Sequence, residues 1–190
     1  MATVTFSPRQ HQILGALSRI IVKEGFEELT VAVLADRLRC SRRTLYTLAP
    51  SRDALVVGVV SELFDGWMQR ARTAVAEAGD ELGGVVAFCA AGLDVGDATE
   101  RFFTDVDAYG ETAQVHDQFR HDYMSELQQL VAAAVPAHAR ARVDTTVRAE
   151  SLAAVVRRLA QMSHAEPPSI TIEGATAVLD DLVRSWFTAT

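Results

Sequence analysis

The chain has 190 residues, 49% of them hydrophobic and 23% charged, with a formal net charge of −7. This composition excludes a disordered or fibrous polymer, and no stretch approaches the roughly 18 consecutive apolar residues of a membrane helix. Two cysteines, Cys40 and Cys89, form neither a disulfide framework nor a zinc spacing, and Met1–Phe6 is no signal peptide, so a reducing cytoplasm is the expected setting.

Charge is spread unevenly. Residues 1–60 carry eight Lys/Arg against five Asp/Glu, whereas residues 61–190 carry ten against twenty. A basic head on an acidic body is the pattern of a nucleic-acid module joined to something else, although ordinary charge scatter can produce the same count. Of the 18 basic residues only Lys23 is lysine, which reads first as a composition bias and second as a choice for bidentate phosphate contacts.

Apolar residues recur with helical spacing and no Asn-Gly or Asp-Gly hairpin signal occurs, so the expected fold is all-α with about nine helices. Ser7 as N-cap, Pro8 at the first position and Gln10 as capping-box partner open a helix with the stripe Ile13, Leu14, Leu17, Ile20 and Ile21. Gly25 closes it at C′. Thr30 caps a short helix over 31–38, with Val31, Leu34, Ala35 and Leu38 at i, i+3, i+4 and i+7. Ser41 caps a third over 41–48, which Pro50 stops. Ser51 caps a long fourth helix from Arg52 to about Glu77, with Leu55, Val59, Leu63, Trp67 and Met68 inward. Later helices are expected near 81–93, 98–109, 112–135, 140–164 and 171–187, broken at Gly79, Gly96, Gly110, Pro136 and Pro167–Pro168.

Two short amphipathic helices joined by two or three residues have helix-turn-helix spacing. Val31, Leu34, Leu38, Cys40 and Leu45 should face inward, leaving Arg42, Arg43, Thr44, Tyr46 and Thr47 outward. Arginine can grip the acceptor pair of guanine, and threonine offers a hydroxyl to phosphate or a methyl to thymine. Thr30 and Ser41 sit at helix starts that favour phosphate, and Arg52 begins the next helix. A small helical bundle with a solvated basic face would share these features.

The segment Ile13–Leu55 resembles the DNA-binding domain of the TetR family of bacterial transcriptional regulators. The resemblance runs through Ile13-Leu14, Ala16, Lys23-Glu24-Gly25-Phe26, Thr30-Val31, Leu34-Ala35, Ser41, Thr44-Leu45-Tyr46 and Pro50-Ser51-Arg52-Asp53-Ala54-Leu55. The chain departs from the family at the turn, where Arg39 replaces glycine. It departs again at Leu48 and Ala49, where an aromatic or histidine and then phenylalanine are usual. Arg43 stands where a small residue is frequent, and Arg52 where lysine is.

The resemblance implies a helix-turn-helix DNA-binding domain over 1–51 and a ligand-binding and dimerisation domain over 52–190, connected by the helix from 52 to about 77. DNA contact would fall to Thr30, Ser41, Arg42, Arg43, Thr44, Tyr46, Thr47 and Arg52. The last two helices would build a homodimer through residues such as Val155, Leu159, Met162, Val178, Leu179, Leu182 and Trp186, unless these face the protomer's own core. A pocket for an unknown small molecule would be lined by Trp67, Met68, Phe88, Cys89, Phe102, Phe103, Tyr109, His116, Phe119 and Tyr123, with His116 and Tyr123 as polar anchors. Ordinary aromatic core is the competing reading of these residues.

No cofactor, metal site or catalytic constellation is expected. His116 and His121 point about 140° apart on a helix, and no nucleophile elbow, P-loop or dinucleotide fingerprint occurs. The expected function is a ligand-responsive repressor that binds a palindromic operator as a homodimer. The alternative is a sensor of the same fold that has lost operator binding.

Overall fold

The computed structural model of the chain describes residues 7–94, 98–139, 142–165 and 167–188. Among these residues all regular structure is helical, in nine segments: α1 (Pro8–Glu24), α2 (Val31–Arg37), α3 (Arg42–Tyr46), α4 (Arg52–Ala76), α5 (Glu81–Ala91), α6 (Glu100–Ala108), α7 (Gly110–Ala134), α8 (Thr145–Ser163) and α9 (Ile172–Thr188). The all-α expectation and its helix number agree with this order.

Local chemistry sets most of the boundaries. The Ser7 hydroxyl accepts the Gln10 N–H while the Gln10 side chain accepts the Ser7 N–H at 2.8 Å, which completes the capping box. Thr30, Ser41, Asp80, Thr99 and Asp144 cap their helices through the same N3 contact. Each such cap contributes about 1 kcal/mol. Gly25 does end α1, but with φ 75° and ψ −169° it is not the left-handed cap expected. It occupies a region open essentially to glycine alone.

Several boundaries differ from the sequence expectation, and both α3, ending at Tyr46 rather than 48, and α5, ending at Ala91 rather than 93, are shorter than expected. The break between α6 and α7 falls at extended Tyr109, and Gly110 is the first residue of α7. The Thr112 hydroxyl donates to the carbonyls of Val106 and Tyr109, which ties this corner together. α6 starts at Glu100 because Thr99 is its cap. α8 starts at Thr145 because Asp144 accepts the Val147 N–H at 3.0 Å. Residues 140–141, expected inside that helix, and Gly96, an expected break, lie outside the described residues.

The chain forms two compact units, Met1–Phe64 with Asp97–Asp117, and Asp65–Gly96 with Gln118–Thr190. In the first, α2 packs on α3 and α1 packs on α6. Leu17, Ile21 and Leu34 lose all exposure, and Phe102 and Val106 of α6 are as deeply buried. Burying each such side chain stabilises the fold by about 1.5–3 kcal/mol. α6 also caps α1. The Thr99 N–H and hydroxyl both donate to the Val22 carbonyl, and the hydroxyl reaches that of Lys23 as well. These are carbonyls that a helix end leaves without internal partners.

In the second unit α5 packs on α8 and α9, and α8 packs on α9. Its core includes Phe88, Cys89, Leu93, Leu127, Val131, Leu152, Leu179 and Val183. Burial pushes the Cys89 thiol up to about 12. Among the described residues no helix is long and apolar enough to cross a membrane.

Candidate nucleic-acid interface

The helix-turn-helix is built by α2, the turn 38–41 and α3. Leu34, Leu38 and Leu45 are buried beneath it, while Val31 and Cys40 are only half-buried. Partial burial raises the Cys40 thiol above its ordinary value, opposed by the charge of Arg9. Arg39 carries the turn with φ 49°, and among the described residues it is the non-glycine with positive φ. A side chain in this left-handed region costs about 1–2 kcal/mol relative to ordinary backbone.

Beyond the turn, Ser41, Arg42, Arg43, Tyr46 and Thr47 are exposed, and Thr44 is half-buried. Tyr46 keeps 53% of its surface, a large value for an aromatic side chain. The Ser41 hydroxyl accepts the Thr44 N–H at 3.0 Å and shares a 2.9 Å contact with the Thr44 hydroxyl. The Thr47 hydroxyl donates to the Thr44 carbonyl at 2.7 Å. Thr30 is exposed, and its hydroxyl accepts the Val33 N–H. These hydroxyls are held by contacts within their own helices.

Arg52 behaves differently from its expected phosphate role. Its Nε donates to the Leu29 carbonyl at 2.9 Å, its Nη2 donates to the carbonyls of Phe26 and Glu27, and its Nη1 pairs with Asp53 at 2.9 Å. Its guanidinium also lies 5.5 Å from the centre of the Tyr109 ring. The side chain is therefore turned into the α1–α2 loop. From the opposite side, the buried Asp105 carboxylate accepts the N–H groups of Phe26 at 2.5 Å and Glu27 at 2.9 Å. The loop that leads into α2 is thus held through its donors by an acid and through its acceptors by a base.

The sequence reading missed Asp105, because nothing local links position 105 to position 26. The one available signal was Gly25. A β-carbon there would lie 2.3 Å from an Asp105 oxygen, so the glycine marks a close approach.

The residues proposed for a ligand pocket divide between the units. In the first, His116 stacks on Phe64 at 5.1 Å, lies 5.9 Å from the Phe103 ring and holds Asp107 at 2.7 Å. Phe102 packs against Phe103. Tyr109 instead meets Phe26 edge-on, and its hydroxyl donates to Asp53 at 3.2 Å. It braces the α1–α2 loop and the start of α4 rather than joining the aromatic group around His116.

In the second unit Trp67, Phe119, Tyr123 and Phe88 form a chain of ring contacts, and Tyr123 stacks on Phe88 at 4.8 Å. Met68 and Cys89 are buried in the core of this unit. The Tyr123 hydroxyl is buried and makes no hydrogen bond among the described residues, and burial pushes its pKa well above the ordinary phenol range.

Of the residues proposed for dimerisation, Leu159 and Leu179 are buried in the core of their own unit and have little or no surface for a second subunit. Val178 is 45% exposed, and Val155, Met162, Leu182 and Trp186 are half-buried.

These features define an all-α protein with a helix-turn-helix in its first unit. No protein-family model and no curated protein sequence matches the chain. Solved structures do match. A candidate transcriptional regulator from Pseudomonas aeruginosa PAO1 is 20% identical with a TM-score of 0.79, covering 96% of this chain and 93% of that one. A TetR-family transcriptional regulator from Streptomyces coelicolor is 15% identical with a TM-score of 0.75, covering 95% of each chain. A candidate transcriptional regulator from Saccharomonospora viridis, solved in complex with choline, is 13% identical with a TM-score of 0.73, covering 92% and 95%. The chain has the fold of TetR-type transcriptional regulators.

Proposed function

We propose that this chain is a DNA-binding transcriptional regulator that acts as a ligand-responsive repressor, binding a near-palindromic operator as a homodimer. The observation that carries this reading is the exposed face of α3. Arg42, Arg43, Tyr46 and Thr47 stand outward there, on a fold whose solved relatives are named as regulators. Residues 1–51 serve as the DNA-binding domain and residues 52–190 as the ligand-binding and dimerisation domain. Thr30, Ser41 and Thr44 join the α3 residues in contacting DNA. Arg52 contributes by positioning the loop before α2. Two recognition helices related by a two-fold axis would enter major grooves about one helical turn, roughly 34 Å, apart. The acidic body is repelled by phosphate and leaves the basic head as the docking face.

Exposed Val147 and Val178 and the half-buried apolar residues of α8 and α9 support a homodimer through these helices. The unpaired Tyr123 hydroxyl within an aromatic group supports a small-molecule site in the second unit. An effector there shifts DNA affinity only by its differential affinity for the two arrangements of the dimer. The protein would then be a binding protein rather than an enzyme, working in the cytoplasm.

A second reading, a ligand sensor without operator binding, is favoured by the inward turn of Arg52 and the half-buried apolar Leu48 and Ala49. Selection of bound duplexes from a random DNA library separates the two. An enriched near-palindrome supports the repressor. No enrichment at low salt from a folded dimer supports the sensor.

A further inference from the structure

The turn of the helix-turn-helix collects positive charge from two parts of the sequence. Arg39 supplies one guanidinium from a backbone conformation that glycine would adopt without strain. Arg9, in the first turn of α1, supplies another. Its Nη2 donates to the Arg39 carbonyl at 3.5 Å, across 30 positions of sequence, while its Nη1 contacts Gln12 at 3.4 Å. Both side chains are exposed, and Arg42 and Arg43 follow within four residues of Arg39.

Three other arginines of the same unit are paired, while Arg19 stands exposed on α1. Arg37 pairs with Glu24, Arg52 with Asp53 and Arg101 with Glu28. Among the described residues no carboxylate lies within ion-pair distance of Arg9, Arg39, Arg42 or Arg43. Like charges gathered on one side without counter-charges repel, and the arrangement becomes favourable when an anion is brought to it. A strained residue kept beside such a cluster is a pointer to function.

We propose that Arg39 and Arg9 form a phosphate clamp at the turn, gripping the DNA backbone beside the groove that α3 enters. This rests on the operator-binding reading above and adds two anchoring residues to it. The clamp positions the duplex and carries no base preference, because a guanidinium on phosphate reads charge and not sequence. Arg39 holds the turn position for its charge, at the expense of backbone strain.

The test uses the full-length protein and a duplex selected as above. It measures melting temperature, and affinity by fluorescence anisotropy across a salt series. Arg39→Gly is expected to melt about 2–4 °C higher, as strain is released. It should bind roughly a hundredfold more weakly, about tenfold for the one charge-assisted hydrogen bond lost in each of two protomers. The slope of log affinity against log salt should flatten by about two for the dimer, one contact per protomer, and by about four in the double variant with Arg9→Ala. Arg39→Lys should keep the slope, whereas Arg39→Gln, which keeps the strain without the charge, should lose it. Base preference should not move in any variant. Arg39→Gly with unchanged affinity and slope overturns the clamp and leaves the operator reading standing. Wild-type protein that binds no duplex overturns both.

Discussion

Asp105 on α6 accepts the backbone N–H of Phe26 at 2.5 Å, joining residues 79 positions apart at the mouth of the α1–α2 loop. The same carboxylate oxygen takes the Glu27 N–H, and Gly25 has no side chain because that oxygen occupies the space. Asp105→Ala would leave two backbone donors without partners. It is expected to destabilise the protein by about 2–4 kcal/mol, and Asp105→Asn, which retains an acceptor, by less. Gly25→Ala should cost at least as much, through its positive φ and its clash with Asp105. The double variant should cost less than the two single changes together, since removing the carboxylate removes the clash. Urea unfolding of the four proteins checks this. Strict additivity would falsify the close approach as the reason for the glycine.

Arg52 holds the carbonyls of the same loop, so its replacement should be felt in folding before DNA binding. Arg52→Ala is expected to lower stability by about 1–3 kcal/mol by leaving partly buried carbonyls unpaired. Arg52→Lys should restore little, because one ammonium cannot reproduce a planar fork directed at several oxygens. The salt slope of DNA binding should stay at the wild-type value for whatever fraction remains folded. A slope flattened by about two, one contact per protomer, would mean that Arg52 touches phosphate after all.

Arg42 and Arg43 are exposed at the start of α3 and are the first choices for base readout. Arg42→Ala should weaken operator binding by about 1–3 kcal/mol per protomer and relax preference at one base pair in each half-site, if it holds a guanine edge. Repeating the duplex selection with the variant reads both effects. Equal affinity and an identical selected motif would move the role to Arg43.

The Tyr123 hydroxyl is buried without a partner in the second unit, with Phe88 stacked on its ring and Cys89 nearby. An orphan hydroxyl lowers stability, so Tyr123→Phe should raise it, by about 1 kcal/mol or more. If that hydroxyl anchors the effector, the same variant should lose the response of DNA binding to the effector while keeping DNA binding itself. Thermal melts and anisotropy with and without effector separate the two roles. A variant that is less stable than wild type would show that the hydroxyl has a partner in solution.

Much of the first unit was legible along the chain. The capping box at Ser7, the caps at Thr30 and Ser41 and the stripe that buries Ile13, Leu17 and Ile21 are written in adjacent residues. So is the exposure of Arg42, Arg43 and Tyr46, which follows from helical periodicity once Leu45 is assigned to the core. The positive φ at Arg39 falls at the turn position where the resemblance places glycine.

The sequence by itself therefore determined the helical class, the starts of α1 to α5 and the outward face of α3, because caps and periodicity act over three to seven residues. Tertiary structure alone decided that Asp105 and Arg52 grip one loop from opposite sides, and that Thr99 caps α1. It also sent Tyr109 to brace the head, and Leu159 and Leu179 into their own core. The physical reason is range. A periodic pattern states that a side chain is buried, but not against what, and a polar group finds its partner only when folding brings distant segments together.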